Sequence, residues 1–138
     1  MAESSKHIEY VELIYNFLRK DMLPESEHIY VAVDSPFKED CPPHVCNNFR
    51  PDVYYCHGDK LIIGEAKTDD DYCRPHSIEQ YCSYFEECAP YGADSIIVLS
   101  GSWRISASFA NLIRNLKREH NFSTKVFVIN EMGCCKEV

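Results

Sequence analysis

The sequence predicts a mixed α/β domain, in which one β-sheet is covered by helices and the elements follow the order αβββαβαβ. Apolar residues near the amino terminus recur at helical spacing, and two strand-like runs flank the turn residues Gly58-Asp59. The second half of the chain alternates apolar runs with amphipathic segments, which indicates a mixed sheet with helices against it. A chain of 138 residues without repeats or a linker is expected to be a single domain, 1–138.

The first helix is expected to begin at Ser4 or Ser5, either of which can cap it, and to run to about residue 21. Residues 28–33 are rich in β-branched and aromatic side chains, so they predict a first strand. Residues 34–51 contain several prolines and charges and are expected to form a loop. The apolar stripe that predicts the helix consists of Ile8, Val11, Ile14, Tyr15 and Leu18.

Two further strands are predicted over residues 52–57 and 60–67, because glycine at the first of two turn residues suits a tight hairpin. A polar loop follows from Thr68 to Arg74. The remaining patterns predict a helix over 77–88, a buried strand over 95–100, a helix over 103–118, a strand over 125–130 and an irregular tail over 131–138.

The formal net charge is −8, from 22 acidic and 14 basic residues. Phosphate binding commonly requires a basic surface, so this charge argues against tight, non-specific DNA binding, although an acidic site for divalent cations is compatible with it. The sequence lacks an apolar run of ~20 residues and an apolar signal-peptide core at its start. We therefore expect a cytoplasmic protein without a membrane partner, whose eight cysteines are mainly thiols.

The hairpin brings three charged residues together. If pairing extends outwards from Gly58-Asp59, residue 57 faces 60 and Asp52 faces Glu65. Lys67 lies two residues beyond Glu65, and the strand period of two places it on the same face. The sequence therefore predicts two carboxylates and one ammonium group at the end of the hairpin that is remote from the turn.

Two carboxylates that face each other across a sheet repel by about 3 kcal/mol at an effective dielectric of ~20. A divalent cation between them reverses that repulsion, and hard oxygen ligands suit Mg²⁺ or Mn²⁺. The alternative is an ordinary salt bridge between Glu65 and Lys67 on an exposed face. The apolar run from Leu61 to Ile63 favours a functional site, because unpaired charge on a strand buried on both faces is costly.

Pro51-Asp52, twelve intervening residues and Glu65-Ala66-Lys67 resemble the motif of the PD-(D/E)XK nuclease superfamily. The compact hairpin is similar to that of archaeal Holliday-junction resolvases, and Thr68 to Asp71 with Gln80 resembles the VRR-NUC branch. The likeness covers residues 5 to about 100. It implies a restriction-endonuclease-like fold and a Mg²⁺-dependent endonuclease that hydrolyses phosphodiester bonds.

By this resemblance, Asp52 and Glu65 would bind the metal ion together with the carbonyl of Ala66, and Lys67 would be the catalytic lysine. The family often adds an acid from the first helix, and of the candidates Glu9 and Glu12 we prefer Glu9. The alternative is that both acids are simply solvated.

The resemblance also gives Gln80 a catalytic role near the metal or the nucleic acid. The alternative is that Ser77-x-x-Gln80 forms a capping box for the second helix. Arg50, Lys60 and Arg74 flank the hairpin and are candidates for phosphate contacts. Asp69, Asp70 and Asp71 would repel phosphate, and a solvated acidic loop is the expected role of this segment.

The sequence thus predicts a metal-dependent nuclease whose partner is nucleic acid, expected to be DNA. A one-site domain cuts one strand, so cleavage of both strands would need a homodimer. The alternative is a catalytically idle nuclease-fold module that mediates protein contacts in a repair or defence complex, which the acidic net charge favours.

Overall fold

The computed structural model describes residues 5–34, 36 and 43–138 and contains one mixed six-stranded sheet with helices on both faces. The mixed α/β class predicted from the sequence is confirmed. The helices are α1 (Ser5–Phe17), α2 (Pro75–Cys88) and α3 (Ser106–His120), and the strands are β1 (Val31–Val33), β2 (Val53–His57), β3 (Lys60–Ala66), β4 (Ser95–Gly101), β5 (Lys125–Asn130) and β6 (Cys135–Glu137).

The strands lie side by side in the order β1-β2-β3-β4-β5-β6. Strand β3 pairs antiparallel with β2 and parallel with β4, which in turn pairs parallel with β5. The outer strands β1 and β6 are antiparallel to their neighbours. Because β3 and β4 are central and parallel, their carboxyl ends lie side by side at one edge of the sheet, where polar side chains can be buried.

The hairpin has the register that the turn residues predict. His57 pairs with Lys60, and the pairing continues to Val53 opposite Gly64. Strand β2 begins at Val53, so Asp52 lies one residue before it and Glu65 one residue beyond the last antiparallel pair. Gly58 has a positive φ of 62°, which explains why glycine occupies the first turn position.

Each face of β3 packs against a different helix layer. Ile62 and Ala66 lie in a cluster with Val11 and Ile14 of α1. On the other face, Leu61 and Ile63 belong to a cluster built on α2 and α3, whose large members are Tyr81, Tyr84, Phe85, Phe109 and Ile113. By the same alternation, Glu65 and Lys67 point to the α2 side.

Several predicted elements differ from those observed. Residues 28–30 belong to a 3₁₀-helix (Glu25–Tyr30) instead of the first strand, and Ile29 is 74% exposed there. Helix α3 begins at Ser106 rather than residue 103. The tail is not irregular, because β6 pairs with β5 from Ile129–Cys135 to Phe127–Glu137.

Helix α1 ends at Phe17 and continues as a π-helical turn (Leu18–Met22), close to the predicted end. Ser4, one of the two predicted capping residues, lies outside the described residues. The seven cysteines within the described ranges are free, and Cys41 lies outside them. Over the described part of the chain, no helix is both long and apolar enough to span a membrane.

Candidate active site

Asp52, Glu65 and Lys67 are all buried at the carboxyl end of β3, with exposed fractions of 6%, 5% and 3%. Glu65 is the penultimate residue of β3, and Lys67 follows its last residue. The backbone N–H of Lys67 donates to the carbonyl of Ser100 at 2.9 Å, which extends the pairing with β4 to the lysine. The sheet itself therefore fixes where the lysine side chain starts.

Asp52 is held against the opposite strand by backbone hydrogen bonds. Its Oδ2 accepts a hydrogen bond from the backbone N–H of Ala66 at 2.9 Å, and its carbonyl accepts one from the N–H of Asp34 at 2.8 Å. His7 Nε2 of α1 lies 3.2 Å from the same Oδ2. These contacts place the carboxylate beside Glu65, where the hairpin register predicts it.

Lys67 Nζ is surrounded by oxygen atoms. It donates a hydrogen bond to Gln80 Oε1, and it lies 3.4 Å from Asp71 Oδ2 and 3.7 Å from Glu65 Oε2. The ring of Tyr81 lies below it, with its centroid 5.9 Å from Nζ. A buried ammonium group is thus both neutralised and oriented by residues from β3, the following loop and α2.

Glu65 is held by Tyr84, whose hydroxyl donates to Oε1 at 2.7 Å. Burial and the negative charge of Asp52 raise the pKa of the Glu65 carboxyl well above its usual range, while Lys67 and Tyr84 act in the opposite direction. Burial disfavours a charged carboxylate, and a second carboxylate disfavours it further. Placing a negative charge on Glu65 is therefore costly unless a positive charge offsets it.

The donor chemistry at this position fits a divalent cation. Across the described residues, no group of three or more His, Cys, Asp or Glu side chains is placed to hold a metal ion. Asp52 and Glu65 nevertheless offer two adjacent carboxylates, and Mg²⁺ is commonly bound by one or two carboxylates with water completing its shell. These two residues would hold the ion, with the Ala66 carbonyl as the predicted backbone ligand.

The structure does not bring Glu9 to this pair. Glu9 is exposed, lies 3.6 Å from Lys6 in an ion pair and lines a surface groove together with Glu12. Two helical residues turn the chain by about 200°, so Glu9 faces away from the side on which His7 meets Asp52. The residue that α1 contributes is His7. The sequence contained a signal for it, because His7 continues the buried stripe of Val11, Ile14 and Leu18 towards the amino terminus.

Gln80 contacts the lysine and does not form the alternative capping box. Helix α2 begins at Pro75, two residues earlier than predicted, so Ser77 lies inside it. The Ser77 hydroxyl donates to the Asp71 carbonyl at 2.6 Å, and Gln80 accepts from Lys67. The acidic loop is also partly engaged, since Asp71 faces Lys67 and Asp69 Oδ1 accepts from Ser102 at 2.7 Å.

The three predicted phosphate-binding residues are spread over the surface. Lys60 begins β3, about 16 Å along the strand from Glu65, so it lies at the hairpin turn and away from the acid pair. Arg50 is exposed just before Asp52. Arg74 is exposed at the start of α2, where its Nε donates to the carbonyl of Asp70 at 2.6 Å. Arg50 lies two residues before Asp52, and Arg74 lies in the segment between Lys67 and Gln80.

Comparisons of the chain with models of protein families, with curated proteins and with solved structures find no match. The function is therefore inferred from the geometry and electrostatics of these side chains.

Proposed function

We propose that this protein is a metal-dependent nuclease that hydrolyses phosphodiester bonds, with DNA as the expected substrate. The observation that supports the proposal best is the buried contact of Asp52 with Glu65 beside the ammonium group of Lys67. A surface salt bridge would not need two buried carboxylates, because the second one only adds repulsion. The mixed sheet with α1 on one face and α2 and α3 on the other is compatible with the restriction-endonuclease-like fold proposed here.

Each side chain has a defined task in this proposal. Asp52 and Glu65 would hold Mg²⁺ or Mn²⁺, and such an ion would supply an acidified water and stabilise charge on a phosphate. The backbone N–H of Ala66 and the hydroxyl of Tyr84 fix the two carboxylates, so their orientation does not depend on the ion. Lys67 places positive charge where negative charge grows on the phosphate, or orients the attacking water.

Gln80 is a positioning residue. Its side-chain oxygen holds Lys67 Nζ from the α2 side, and Asp71 holds it from the loop. An amide oxygen orients an ammonium group without adding a full negative charge, so the lysine keeps its charge available for the substrate. Asp52, Glu65, Lys67 and Gln80 thus form one connected set. Arg50 and Arg74 are proposed to contact phosphates outside it.

The test is cleavage by the Lys67→Ala variant. We expect Mg²⁺-dependent cleavage to fall by about 10²–10⁴-fold, the usual contribution of a positioned acid–base group. Lys125→Ala is the matched control, because Lys125 is an exposed lysine at the start of β5. Substrates should include single-stranded, duplex, flapped and four-way DNA and a single-stranded RNA, each with Mg²⁺ and with Mn²⁺. Equal activity of a folded Lys67→Ala protein and the wild type would overturn the mechanism.

A second candidate is the idle module that mediates protein contacts. It is favoured by the net charge of −8 and by the internal partners that already surround Lys67. Under this alternative the carboxylates would be a structural remnant, and no substrate in the panel would be cut.

A further inference from the structure

An open groove of about 680 Å³ lies at the carboxyl edge of the central strands, where Thr68 and Asp69 line it directly after Lys67 in the chain. Its walls include Tyr10 of α1, Asp69 of the loop after Lys67, Trp103 and Arg104 of the turn after β4, and Glu131 of the turn after β5. A volume of this size lies within the range of small-molecule sites. The groove could therefore accept a group as large as a nucleobase.

The groove contains two exposed large hydrophobic side chains. Among the described residues, five large hydrophobic side chains are exposed, and two of them, Trp103 and Met132, line this groove. Trp103 is 58% exposed, Met132 is 69% exposed, and Trp103 is the single tryptophan of the chain. Isolated exposed side chains need no explanation, but two that share one groove beside a candidate active site indicate a contact surface.

The backbone of Trp103 is held by its surroundings. Its backbone N–H donates to Glu131 Oε1 at 2.6 Å, and the hydroxyl of Tyr10 donates to Oε2 of the same carboxylate at 3.3 Å. The guanidinium of Arg104 lies 5.8 Å from the centroid of the indole ring. An aromatic ring whose backbone is fixed loses little freedom when a ligand stacks on it.

The loop that follows Lys67 forms part of the groove wall. Thr68 and Asp69, which line it, directly follow Lys67 in the chain. The Ser102 hydroxyl donates to Asp69 at 2.7 Å, and the Ser100 hydroxyl donates to the carbonyl of Tyr10 at 2.8 Å. These bonds connect the loop, β4 and α1 around the groove. The carboxyl end of β3, which carries Glu65 and Lys67, thus leads directly into the loop that lines the groove.

The charges lining the groove favour a base over a phosphate. Asp69, Asp70 and Glu131 present carboxylates that repel phosphate but can accept hydrogen bonds from base amino groups. Lys6 and Arg104 line the same groove and can neutralise the flanking phosphates. In a duplex, the faces of the bases are stacked on one another and are unavailable to an indole ring.

We propose that this groove binds an unpaired nucleobase of the substrate strand, stacked on Trp103. The proposal rests on the proposed function, because the phosphate next to that base would be the one at Asp52 and Glu65. The substrate is then single-stranded nucleic acid or a duplex with unpaired bases, and Trp103 is a substrate-binding residue.

The experiment uses the fluorescence of Trp103, which reports only on this position because the chain has no second tryptophan. The intact protein is titrated in the presence of Ca²⁺ with three probes. These are a short single-stranded oligodeoxynucleotide, its blunt duplex, and an oligonucleotide of equal length made of abasic residues. Each probe is recovered afterwards to verify that it remains uncut. We expect saturable quenching by the single strand only, because the abasic probe keeps the phosphates but lacks the bases.

The variant Trp103→Ala should weaken binding of a labelled single strand by about tenfold, as expected for loss of one base–aromatic stack. Trp103→Phe should retain most of the wild-type affinity for the single strand. Tyr30→Ala is the matched control, because Tyr30 is an exposed aromatic residue that stacks on His57 outside the groove. The Trp103 ring is largely exposed, so Trp103→Ala is expected to keep the wild-type unfolding transition, which is measured in parallel.

The outcomes separate this inference from the proposed function. Cleavage of DNA without quenching, or equal quenching by the abasic probe, overturns the base-stacking site and leaves the nuclease proposal standing. Saturable, base-dependent quenching without cleavage of any substrate supports the site and overturns the nuclease proposal. Unchanged binding by a folded Trp103→Ala variant also overturns the inference.

Discussion

Glu65 is a buried carboxylate that accepts a hydrogen bond from Tyr84 and has a second carboxylate, Asp52, beside it. Burial and Asp52 raise its pKa in the folded protein above the value in the unfolded chain. Below the unfolded pKa both states are protonated and the folded state has its full stability. As pH rises through the folded pKa, the stability that protonated Glu65 contributes to the folded state is lost. The metal-free protein should therefore be less stable at neutral pH than in mild acid.

The variant Glu65→Gln should stabilise the metal-free protein at neutral pH while abolishing cleavage. The glutamine oxygen can still accept from Tyr84, whereas the charge that repels Asp52 is removed. We expect the free energy of unfolding to rise by about 0.5–2 kcal/mol, as is common when a strained functional residue is replaced. The measurement is denaturant unfolding in chelator at several pH values, and Glu65→Gln should flatten the decline towards neutral pH.

Glu79→Gln is the control for that experiment, because Glu79 is an exposed glutamate on α2 next to Gln80. It should leave both the stability and its pH dependence unchanged. A Glu65→Gln protein that is less stable than the wild type at neutral pH would contradict the electrostatic account of the site.

At this scale the sequence predicted the central residues better than their supports. Asp52, Glu65 and Lys67 could be grouped from the sequence because strand alternation and a two-residue turn fix which side chains share a face. Two roles stayed open for Gln80, because the choice between them depends on whether α2 begins at Pro75 or Ser77. His7 was missed because chemistry was expected from an acid, although the helical stripe already placed His7 towards the sheet.

Helix α1 packs across β3 at a point where the strand has no side chain. A Cβ added to Gly64 would lie 2.8 Å from Ile14 Cγ2, which is closer than real contacts allow, and 3.0 Å from Val53 Cβ, which is a tight contact. Glycine at this position therefore lets the helix approach the strand one residue before Glu65. The same approach carries His7 of α1 to Asp52.

The variant Gly64→Ala should destabilise the protein by about 1–3 kcal/mol, because the added methyl group forces α1 away from the sheet. Combining it with Ile14→Ala tests the cause, since Ile14 supplies the nearest atoms. The double variant should be more stable than the sum of the two single changes predicts, by more than about 0.5 kcal/mol. Strict additivity in denaturant unfolding would show that the helix does not limit this position.

Elements whose own residues form a clear pattern were predicted, whereas elements that depend on contacts with other parts of the chain were not. The β2–β3 register follows from the turn and was predicted pair by pair. Residues 28–30 have strand-forming side chains but form a 3₁₀-helix, and Glu27 in that helix accepts hydrogen bonds from Tyr55 and lies 2.7 Å from His57. Strand β6 is exposed throughout, and the turn before it depends on the Asn130 side chain accepting from the backbone of Met132.

For the whole molecule, the acidic charge and the buried acid pair have related consequences. A protein with a net charge of −8 gains little from phosphate contacts spread over its surface, so its affinity for nucleic acid must come from the site itself. The acid pair repels phosphate in the absence of an ion and would attract it once two positive charges are bound. Metal binding should thus control both stability and substrate affinity.

Titration with Mn²⁺ should raise the melting temperature of the protein, because an ion bound only by the folded state stabilises it by mass action. At an ion concentration of 100 times Kd the gain is about 2.7 kcal/mol. Asp52→Asn should abolish the shift, whereas Asp59→Asn should not, since Asp59 is an exposed acid at the turn end of the hairpin. The ion should also remove the pH-dependent loss of stability that Glu65 causes, because the charged form of Glu65 is the one that binds it. The idle module would show none of these effects. A shift that persists in Asp52→Asn would place the ion elsewhere and remove the basis for the nuclease mechanism.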